Sequence, residues 1–405
     1  MHVVVLGAGV IGVTSAYYLA MQGCDVTLID SAAEPAAGTS HANGGQLAYS
    51  FVDALAQPSL LPVLPGILLG RDPAMRIKPF ARPSFIGWGM QFLAQCTRSR
   101  ARDNTLAVVR LAQQSARALA ELRAETGIDF GYARVGKVML LPPGSDLEAA
   151  RRSIEFKKAE GCDSSLLSLD EVTARFPELR HFPLNYEAAL YAPDDEVGDA
   201  RVFSVKLAAW LQQQKNVACR FGETVENIVV TAGRATAVTT NAGRLNADAV
   251  LVCLGVASPA LLRPLGISAS IYPLRGYSVT LPAGSGAPKV SVTDMQRRIV
   301  FSTLNGRVRI AGLADFVGAD HSQDAARIEH LLKTARQIAP DYANYTSTDA
   351  APWAGDRPMT PHGIPLVGAS SIAGLYLNCG HGMLGWTLAA ATGQKAAAAI
   401  ATAAR

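Results

Sequence analysis

A glycine-rich turn near the N-terminus constrains the fold of this 405-residue sequence more than any other feature. The apolar run 2–6 predicts a buried parallel strand, GAGVIG at 7–12 follows it, and apolar helical periodicity continues to Gly23. A second predicted strand, 25–29, ends on Asp30. A strand, a GxGxxG turn, a helix and a later acidic residue predict a Rossmann-like dinucleotide-binding unit with a parallel sheet.

Each part of this turn has a physical role in binding a dinucleotide. Gly7 permits the tight turn, Gly9 lets the backbone approach a pyrophosphate, and Gly12 allows the helix to pack closely on the strand. The helix N-terminus attracts phosphates, and Asp30 can accept the ribose hydroxyls while repelling a 2′-phosphate. A glycine-rich turn without a ligand is the alternative. The predicted cofactor contacts here are Gly7, Gly9, Val10, Ile11, Gly12, Asp30 and Ser31.

The next segment favours FAD over NAD as the dinucleotide. Sequences that bind NAD usually continue directly into another strand–helix unit, whereas GTSHANGGQL at 38–47 is a small, polar, glycine-rich loop. Its hydroxyl, amide and backbone groups suit a second phosphate and the edge of a flavin ring, although an ordinary solvent loop is the alternative. The candidate cofactor contacts are Thr39, Ser40, Asn43, Gly44, Gly45, Gln46 and Leu47.

Composition excludes several classes of protein. With 49% hydrophobic and 17% charged residues, the chain can bury a large core, which excludes disordered, coiled-coil and collagen-like proteins. The net charge of +4 comes without a basic block and argues against nucleic acid as a partner. Six scattered cysteines without metal-ligand spacing are typical of reduced thiols, and we expect no metal site.

The location of the protein is predicted from what the chain lacks. One residue before the first strand leaves no room for a signal peptide, and no run approaches 18 apolar residues. We therefore expect a cytoplasmic protein. The apolar segment 59–70, SLLPVLPGILLG, contains two prolines and is too short to span a bilayer. It could cap an active site, contact the inner face of a membrane, or form a buried loop.

Later segments predict a return to the first unit and a second, antiparallel unit. Helices are predicted over 103–126 and 199–214, a capping box at Ser168, and strands over 217–221, 225–230 and 246–255. Alternation predicts antiparallel strands over 272–280, 298–303 and 307–311. The predicted fold is α/β, with a FAD-binding domain over 1–48, 199–265 and 355–405. An α+β substrate domain on an antiparallel sheet covers 49–198 and 266–354.

Six segments in the same order resemble the flavin-dependent D-amino-acid oxidase superfamily, most closely its bacterial D-amino-acid dehydrogenases. They are VVVLGAGVIGV at 3–13, TSHANGGQL at 39–47, PDDEVGD at 193–199, YPLRGYSVTLP at 272–282, GDRPMTPHGIPLVG at 355–368 and LNCGHGMLGWTLA at 377–389. The resemblance implies non-covalent FAD and oxidation of a D-amino acid to the 2-oxo acid and ammonia. It also implies transfer of electrons to a quinone or another acceptor rather than to oxygen.

Oxidation of an amino acid at Cα needs a group that binds its carboxylate. Arg357 is the first candidate, because a guanidinium matches a carboxylate bidentately, and the resemblance places it beside the flavin. Arg275, Tyr272 and Tyr277 are further candidates. Strand alternation puts Arg275 and Tyr277 on one face and Tyr272 on the other, and we favour Tyr277.

The C-terminal motif supplies the remaining site candidates. Glycines before a helix let backbone N–H groups approach the flavin pyrimidine. His381 could be a proton-accepting base, but a structural or flavin-contacting role is favoured. The predicted cofactor contacts are Gly382, Met383, Leu384, Gly385, Trp386 and Thr387, together with Val225 and Gly255.

The sequence also departs from the superfamily at a few positions. His41 and Asp356 stand where an apolar residue is usual, and His362 stands where an acidic residue is usual. These changes leave open a secondary or cyclic amino-acid substrate, of the D-proline, hydroxyproline, sarcosine or glycine type. A non-catalytic flavin subunit of a larger complex is a further alternative.

Overall fold

A computed structural model describes residues 1–78, 82–182, 185–318 and 324–403. The helices are, in chain order, α1 (Val10–Met21), α2 (Leu64–Leu68), α3 (Pro83–Gln95), α4 (Arg98–Thr126), α5 (Leu147–Lys158), α6 (Leu169–Arg175), α7 (Ala200–Gln212), α8 (Ser258–Leu262), α9 (Ala325–Ile338) and α10 (Gly385–Ala403). The strands are β1 (His2–Leu6), β2 (Asp25–Asp30), β3 (Gln46–Leu47), β4 (Met75–Ile77), β5 (Lys137–Leu141), β6 (Ser165–Leu167), β7 (Ala188–Ala192), β8 (Glu196–Val197), β9 (Val217–Phe221), β10 (Val225–Thr231), β11 (Arg234–Thr240), β12 (Gly243–Asn246), β13 (Ala249–Val252), β14 (Tyr272–Pro282), β15 (Ser291–Asp294), β16 (Ile299–Leu304), β17 (Arg307–Phe316), β18 (Ala351–Met359), β19 (Leu366–Ala369) and β20 (Leu375–Cys379).

The first sheet has the strand order β19-β20-β13-β1-β2-β9. Its strands run parallel, except that β19 is antiparallel to β20. Val3 and Val5 of β1 pack against α1, α4, α7 and α10, whereas Val4 and Leu6 face the small antiparallel sheet β10-β11-β12. Because β1 is buried on both faces, its sequence is continuously apolar. The predicted Rossmann-like parallel sheet is confirmed.

The second sheet has the order β18-β14-β17-β16-β15-β5-β7-β6, with β4 added beside β17. It is mostly antiparallel, as predicted, although β15 with β5 and β17 with β4 form parallel pairs. One face packs on α9 through Leu331, Ala335 and Ile338. The other face meets the loop 39–47, so the predicted cofactor loop lies between the two sheets.

Predicted and observed elements differ mainly at their ends. The helix predicted over 103–126 begins earlier, at Arg98, because the Thr97 side chain accepts a hydrogen bond from the N–H of Arg100. It ends as predicted, before Gly127 in the left-handed region. The strand predicted over 246–255 is shorter, Ala249–Val252, and lies between β1 and β20. The predicted capping box at Ser168 is present.

The boundaries of the two domains stay predictions. Strand β18 belongs to the second sheet, and the predicted boundary at residue 355 falls inside it. The segment 59–70 lies in a short 3₁₀ turn and α2, with Leu61, Leu68 and Leu69 exposed and Ile67 buried, so the alternative of a buried loop describes it only in part. Among the described residues, no helix has the length and hydropathy needed to cross a bilayer.

Candidate active site

The glycine turn is too tight to accept side chains. Gly7 has φ +99°, and a Cβ at this position would lie 2.8 Å from the carbonyl oxygen of Cys253. A Cβ on Gly12 would lie 1.7 Å from the carbonyl oxygen of Gly7. The turn therefore brings the backbone at the start of α1 against the end of β13, which is the close approach that the GxGxxG motif provides for a pyrophosphate.

The first residues of α1 meet the polar loop. The backbone N–H of Val10 donates to Oγ of Ser40 at 3.1 Å, and a Cβ on Gly9 would lie 3.3 Å from the same atom. The first turn of α1 contains no acidic residue. The structure thus brings the two predicted phosphate-binding segments to one helix N-terminus, where the partial positive charge favours an anion.

Asp30 lies beside this turn at the end of β2. Its carboxylate accepts hydrogen bonds from the backbone N–H groups of Ala8, at 2.6 Å, and Ala32, at 2.8 Å. Ser31 is exposed next to it. Gly255 lies just beyond β13 with φ +54°. Val225 starts β10 and packs against the core between the parallel sheet and the sheet β10-β11-β12.

The loop 39–47 is attached to the second sheet by hydrogen bonds. Oγ1 of Thr39 donates to the carbonyl oxygen of Asp356 at 2.6 Å, and Nε2 of Gln46 donates to Oγ of Ser291 at 2.5 Å. A side chain on Gly45, which has φ +69°, would meet Leu304. The remaining loop residues also have fixed contacts. Oδ1 of Asn43 accepts a hydrogen bond from the N–H of Gly45, Gly44 lies against Ala311, and Leu47 is fully buried.

The acidic residues of the segment 193–199 also contact the chain next to this loop. Asp195 accepts hydrogen bonds from the N–H groups of Tyr49, at 2.9 Å, and Ser50, at 3.3 Å. Burial raises the pKa of Asp195 to about 6, against the opposing effect of nearby Lys137. Asp199 caps α7 and pairs with Arg309 at 2.9 Å. Asp195 therefore anchors the chain directly after the cofactor loop, and Asp199 links α7 to the second sheet.

The C-terminal motif divides between the site and the core. Gly382 has φ +56°, Met383 is 51% exposed, and Leu384 and Gly385 lead into α10. In contrast, Trp386 is buried against Phe130 and Phe203, and its Nε1 donates to the carbonyl oxygen of Gly198. Thr387 is also buried, where its Oγ1 accepts from the N–H of Ala48 at 3.2 Å. Trp386 thus has a packing role in this geometry.

Arg357 is half-buried on β18, opposite Leu274 of β14. Its Nη1 donates to the carbonyl oxygen of Leu313 at 3.1 Å, and a Cβ on Gly276 would lie 2.1 Å from its Nη2. No described carboxylate lies within ion-pair distance of Arg357, and desolvation lowers its pKa to about 10, opposed by Asp315. Arg357 therefore stays charged at neutral pH. Because no described carboxylate forms an ion pair with it, its positive charge can be balanced by one anionic ligand.

The sheet register does not bring Tyr277, the favoured tyrosine, to the face of Arg357. The sheet register places Arg357 on the same face as Tyr272, Leu274 and Gly276. Tyr277 points to the opposite face, where its hydroxyl donates to Asp315 at 3.0 Å. Tyr272 instead shares the face of Arg357 and packs in an aromatic cluster with Phe85, Trp88 and Phe316.

Arg275 is engaged in a buried ion pair with Asp356. Its Nε and Nη2 donate to the two carboxylate oxygens at 2.8 Å and 2.9 Å. This pair explains the acidic residue at position 356, because the carboxylate compensates the buried guanidinium. Arg275 is consequently not available as a second ligand for a substrate carboxylate.

His381 is buried and hydrogen-bonded, which favours the structural interpretation over that of a proton-accepting base. The imidazole is 3% exposed and its Nε2 is hydrogen-bonded to Oγ1 of Thr392 at 3.0 Å. Burial lowers the pKa of His381 to about 3, so the ring is neutral at physiological pH and is a weak base. This hydrogen bond ties the segment that precedes α10 to Thr392 within the helix.

The other departures have local structural partners. His41 stacks on Trp353 with ring centroids 6.1 Å apart. Nδ1 of His362 accepts from the N–H of Ile364 at 3.0 Å, and burial lowers the pKa of this histidine. Cys379 is 1% exposed and burial raises the pKa of its thiol to about 11, which disfavours a covalent bond to a cofactor.

The sequence did not predict the residues that surround the Arg357 guanidinium on the sheet. Gly276 lies beneath the guanidinium, Leu313 accepts from it, and Asp315 lies on the other face of the same strands. Only the glycine in YPLRGYS offered a signal, because a glycine inside a strand marks a close approach.

Comparison with known proteins identifies the class. A model of the FAD dependent oxidoreductase family (DAO) matches residues 2–399. The chain is 42% identical over 398 residues to D-amino acid dehydrogenase 2 of Ralstonia nicotianae, covering 96% of this chain and 94% of the relative. It is 39% identical over 400 residues to D-amino acid dehydrogenase of Paramagnetospirillum magneticum, covering 97% and 93%. The chain is thus an FAD-dependent oxidoreductase.

A solved structure shows the same fold. The crystal structure of glycine oxidase from Bacillus cereus matches with a TM-score of 0.75 at 21% identity, covering 99% of this chain and 95% of that chain. The chain belongs to the FAD dependent oxidoreductase family, and the predicted resemblance is confirmed.

The residues present fit the FAD of this family. The turn at Gly7 and Gly12 is a cradle that any Cβ would fill, and the first turn of α1 carries no acidic residue that would repel a pyrophosphate. The loop 39–47 contacts β14 and β18 through Ala42 and Thr39, and Gly382, before α10, lies against Met359 of β18. These segments would hold the cofactor without a covalent bond.

Proposed function

We propose that this protein catalyses the FAD-dependent oxidative deamination of D-amino acids to 2-oxo acids and ammonia. The observation that carries this proposal is Arg357, a half-buried guanidinium without a described carboxylate partner, on the sheet face that meets the cofactor loop. The D-amino acid dehydrogenases to which the chain is 42% and 39% identical support the choice of substrate.

In the proposed reaction Arg357 binds the substrate carboxylate and so fixes the orientation of Cα. FAD, when bound, would supply the redox chemistry as the acceptor of the Cα hydrogen and its electron pair. Leu274, Met359 and Tyr272 cover the sheet next to Arg357, with Trp88 behind them, and exclude water from one side of the substrate. The resulting imino acid is hydrolysed by water to the 2-oxo acid and ammonia.

Anaerobic reduction of the bound flavin tests the function directly. A panel of D-, L- and cyclic amino acids is added to the holoprotein, and loss of the flavin absorbance band is followed. We expect bleaching by D-amino acids. Bleaching only by D-proline, hydroxyproline, sarcosine or glycine would replace the proposal with a secondary-amine or glycine substrate. No bleaching by any member would favour a non-catalytic flavin subunit.

We expect the substrate, not the protein, to set the pH dependence. His381 is neutral and buried, and the carboxylates of Asp315 and Asp356 are held by arginines, so no described base is available to the amine. The oxidised species is therefore the neutral amine. kcat/KM should rise about tenfold per pH unit up to the pKa of the substrate ammonium group. Two D-amino acids with different ammonium pKa values, assayed over the same pH range, check this.

For these two substrates, the break in the profile should move with the substrate pKa. A break at the same pH for both would instead reveal a base on the protein. Repeating the profile with His381→Gln gives a control, because a buried, neutral residue should leave the position of the break unchanged.

The acceptor is proposed to be a quinone or a related electron carrier rather than oxygen. The dehydrogenase names of the relatives support this choice. Steady-state turnover with a quinone-like dye, compared with oxygen consumption under the same conditions, distinguishes the two acceptors. Faster turnover with oxygen than with the dye would contradict it.

A peripheral membrane contact is proposed at the surface formed by α3 and the segment 59–70. Helix α3 contains no charged residue: Phe85, Trp88 and Phe92 pack inward, while Ile86, Met90 and Leu93 form an exposed stripe. Leu60 packs against the inner cluster, which brings the two segments together. Exposed basic residues flank this surface at Arg71, Lys78, Arg82, Arg98 and Arg100. Apolar side chains within a basic rim suit an anionic lipid surface.

Binding to lipid vesicles tests this surface. The holoprotein should co-sediment with vesicles containing anionic lipid, and Leu69→Glu with Met90→Glu should lower its affinity by about tenfold or more, because two exposed apolar side chains are replaced by repelled carboxylates. Val205→Glu, on the exposed side of α7, is the control. Equal binding of the double variant and the control would contradict the proposal.

A further inference from the structure

A β-bulge interrupts the pairing of β14 with β17 directly beside Arg357. Leu313 and Ala314 of β17 lie opposite the single residue Gly276 of β14. Leu313 is 4% exposed and has φ +60°, a conformation that a leucine rarely adopts. Its carbonyl oxygen accepts the hydrogen bond from Nη1 of Arg357. In a regular strand this carbonyl oxygen would pair with the neighbouring strand, whereas in the bulge it accepts from Arg357.

This backbone conformation needs support from its surroundings. A non-glycine residue in the left-handed region is strained, and it persists only where neighbouring contacts impose it. The bulge is followed at once by Asp315, which is fully buried. The contacts of Asp315 are consequently the ones that fix the strand on the far side of Leu313.

Asp315 accepts five hydrogen bonds from described side chains. Arg76 donates from Nε at 3.0 Å and from Nη2 at 2.7 Å, and Arg327 donates at 2.9 Å and 2.6 Å. The hydroxyl of Tyr277 donates at 3.0 Å. Asp324, the N-cap of α9, binds Arg76 in turn at 2.7 Å. We call these five residues the Asp315 cluster.

The cluster joins four elements of the chain at this point: β4, β14, β17 and α9. Strand β4 pairs in parallel with β17 through Ala314, Asp315 and Phe316, and it brings Arg76 to the carboxylate. Arg327 comes from α9 and also donates to the carbonyl oxygen of Pro73 at 2.7 Å. The strand after the bulge is therefore held on both sides.

The charged groups of the cluster balance one another, so the positive charge of Arg357 on the substrate face is not compensated by the cluster. Its members contribute the guanidinium groups of Arg76 and Arg327 and the carboxylates of Asp315 and Asp324, which balance. Arg357, on the opposite face of the same strands, is close enough to feel the Asp315 carboxylate but forms no ion pair with a described residue. One substrate carboxylate would complete the charge balance.

We propose that Asp315 is a positioning residue: its cluster fixes the Leu313 bulge, and the bulge in turn holds the Arg357 guanidinium over Gly276 for a substrate carboxylate. The proposal rests on the proposed function, because it concerns how that site binds its substrate. It is specific to carboxylate binding and assigns Asp315 no role in the redox step.

A second buried cluster in the same sheet provides a matched control. Asp294 is fully buried, accepts from the hydroxyl of Tyr186 at 2.9 Å and from Nη1 of Arg297 at 3.0 Å, and ends β15 away from Arg357. The side chains of Arg297 and Arg76 are 31% and 32% exposed. Asp294→Asn therefore removes a comparable buried charge at a comparable distance from solvent.

The test compares Asp315→Asn with Asp294→Asn in the FAD-loaded protein. Asp315→Asn should raise KM for a D-amino acid, and Kd for a simple carboxylate such as benzoate, by about tenfold, because a displaced guanidinium loses its aligned contact. kcat at saturating substrate should change by less than about threefold. Asp294→Asn should leave both KM and Kd within about twofold of the wild type, with a similar fall in melting temperature.

A milder pair of variants covers the case in which Asp315→Asn does not fold. Arg76→Lys and Arg297→Lys keep the charge but lose the guanidinium fork, and only Arg76→Lys should raise KM and the carboxylate Kd. Equal effects of the two members in either pair, or a loss of kcat with unchanged KM in Asp315→Asn or Arg76→Lys, would overturn the positioning role. Flavin bleaching of the wild type is measured first, so that failure of the function itself is recognised separately.

Discussion

Arg357→Lys is expected to lower kcat/KM for D-amino acids by about 100-fold. Lysine keeps the charge, but its single ammonium group cannot make the two parallel hydrogen bonds to a carboxylate, nor the contact that Nη1 makes with Leu313. The loss of charge-assisted hydrogen bonds is worth about 1.5–3 kcal/mol, and about 2.8 kcal/mol corresponds to 100-fold. Steady-state kinetics of the flavin-loaded variant with a dye acceptor measure the effect.

Two comparisons make the result for Arg357 specific. Arg298→Lys changes a more exposed arginine of the same sheet, paired with Asp72, and should leave kcat/KM within about twofold of the wild type. An amine without a carboxylate should be oxidised equally poorly by the wild type and by Arg357→Lys. If Arg357→Lys stayed within twofold of the wild type on D-amino acids, Arg357 would not bind the carboxylate.

Gly12→Ala is expected to produce a protein with less than about a tenth of the wild-type flavin content. The new methyl group would lie 1.7 Å from the carbonyl oxygen of Gly7, so the turn must open by more than an ångström. Opening the turn moves the start of α1 away from the cofactor phosphates, and their alignment with the helix N-terminus is lost. The ratio of flavin absorbance to protein absorbance after purification measures the content.

Gly87→Ala is the matched control for this substitution. Gly87 is also helical, but its added Cβ would meet no atom within 4 Å, so we expect full flavin content and equal or higher stability. Circular dichroism shows whether Gly12→Ala has folded. A folded Gly12→Ala protein with stoichiometric flavin would contradict the assignment of this turn to the cofactor.

The N-terminal unit could be predicted from the sequence because its signals are local. The turn at 7–12 lies between a strand and a helix that are each defined by their own periodicity, and the polar loop follows within 30 residues. The antiparallel strands of the second sheet were also predicted from alternation, with ends that differ by a few residues. Pairing with neighbouring strands extends them beyond the alternating run.

The candidate site could be predicted only in part, because its remaining features depend on pairing between distant strands. Alternation separated Tyr272 from Tyr277 correctly, but the face that carries Arg357 is set by the register of β14 on β18, about 80 residues apart in sequence. The sequence likewise gave no sign that His381 is buried or that Asp315 gathers two arginines. Ion pairs between distant segments, such as those of Asp315, have no characteristic spacing in the sequence by which they could be predicted.

The attachment of the loop 39–47 to the second sheet has a consequence for biosynthesis. Thr39 is hydrogen-bonded to Asp356, which lies 317 positions later in the chain. Ser15 of α1 is hydrogen-bonded to Asn378, 363 positions later. A growing chain can therefore form the glycine turn while its first residues emerge from the ribosome, yet it cannot seat the loop until β18 and β20 have been made. The cofactor can be captured in its final place only after nearly the whole polypeptide has been synthesised.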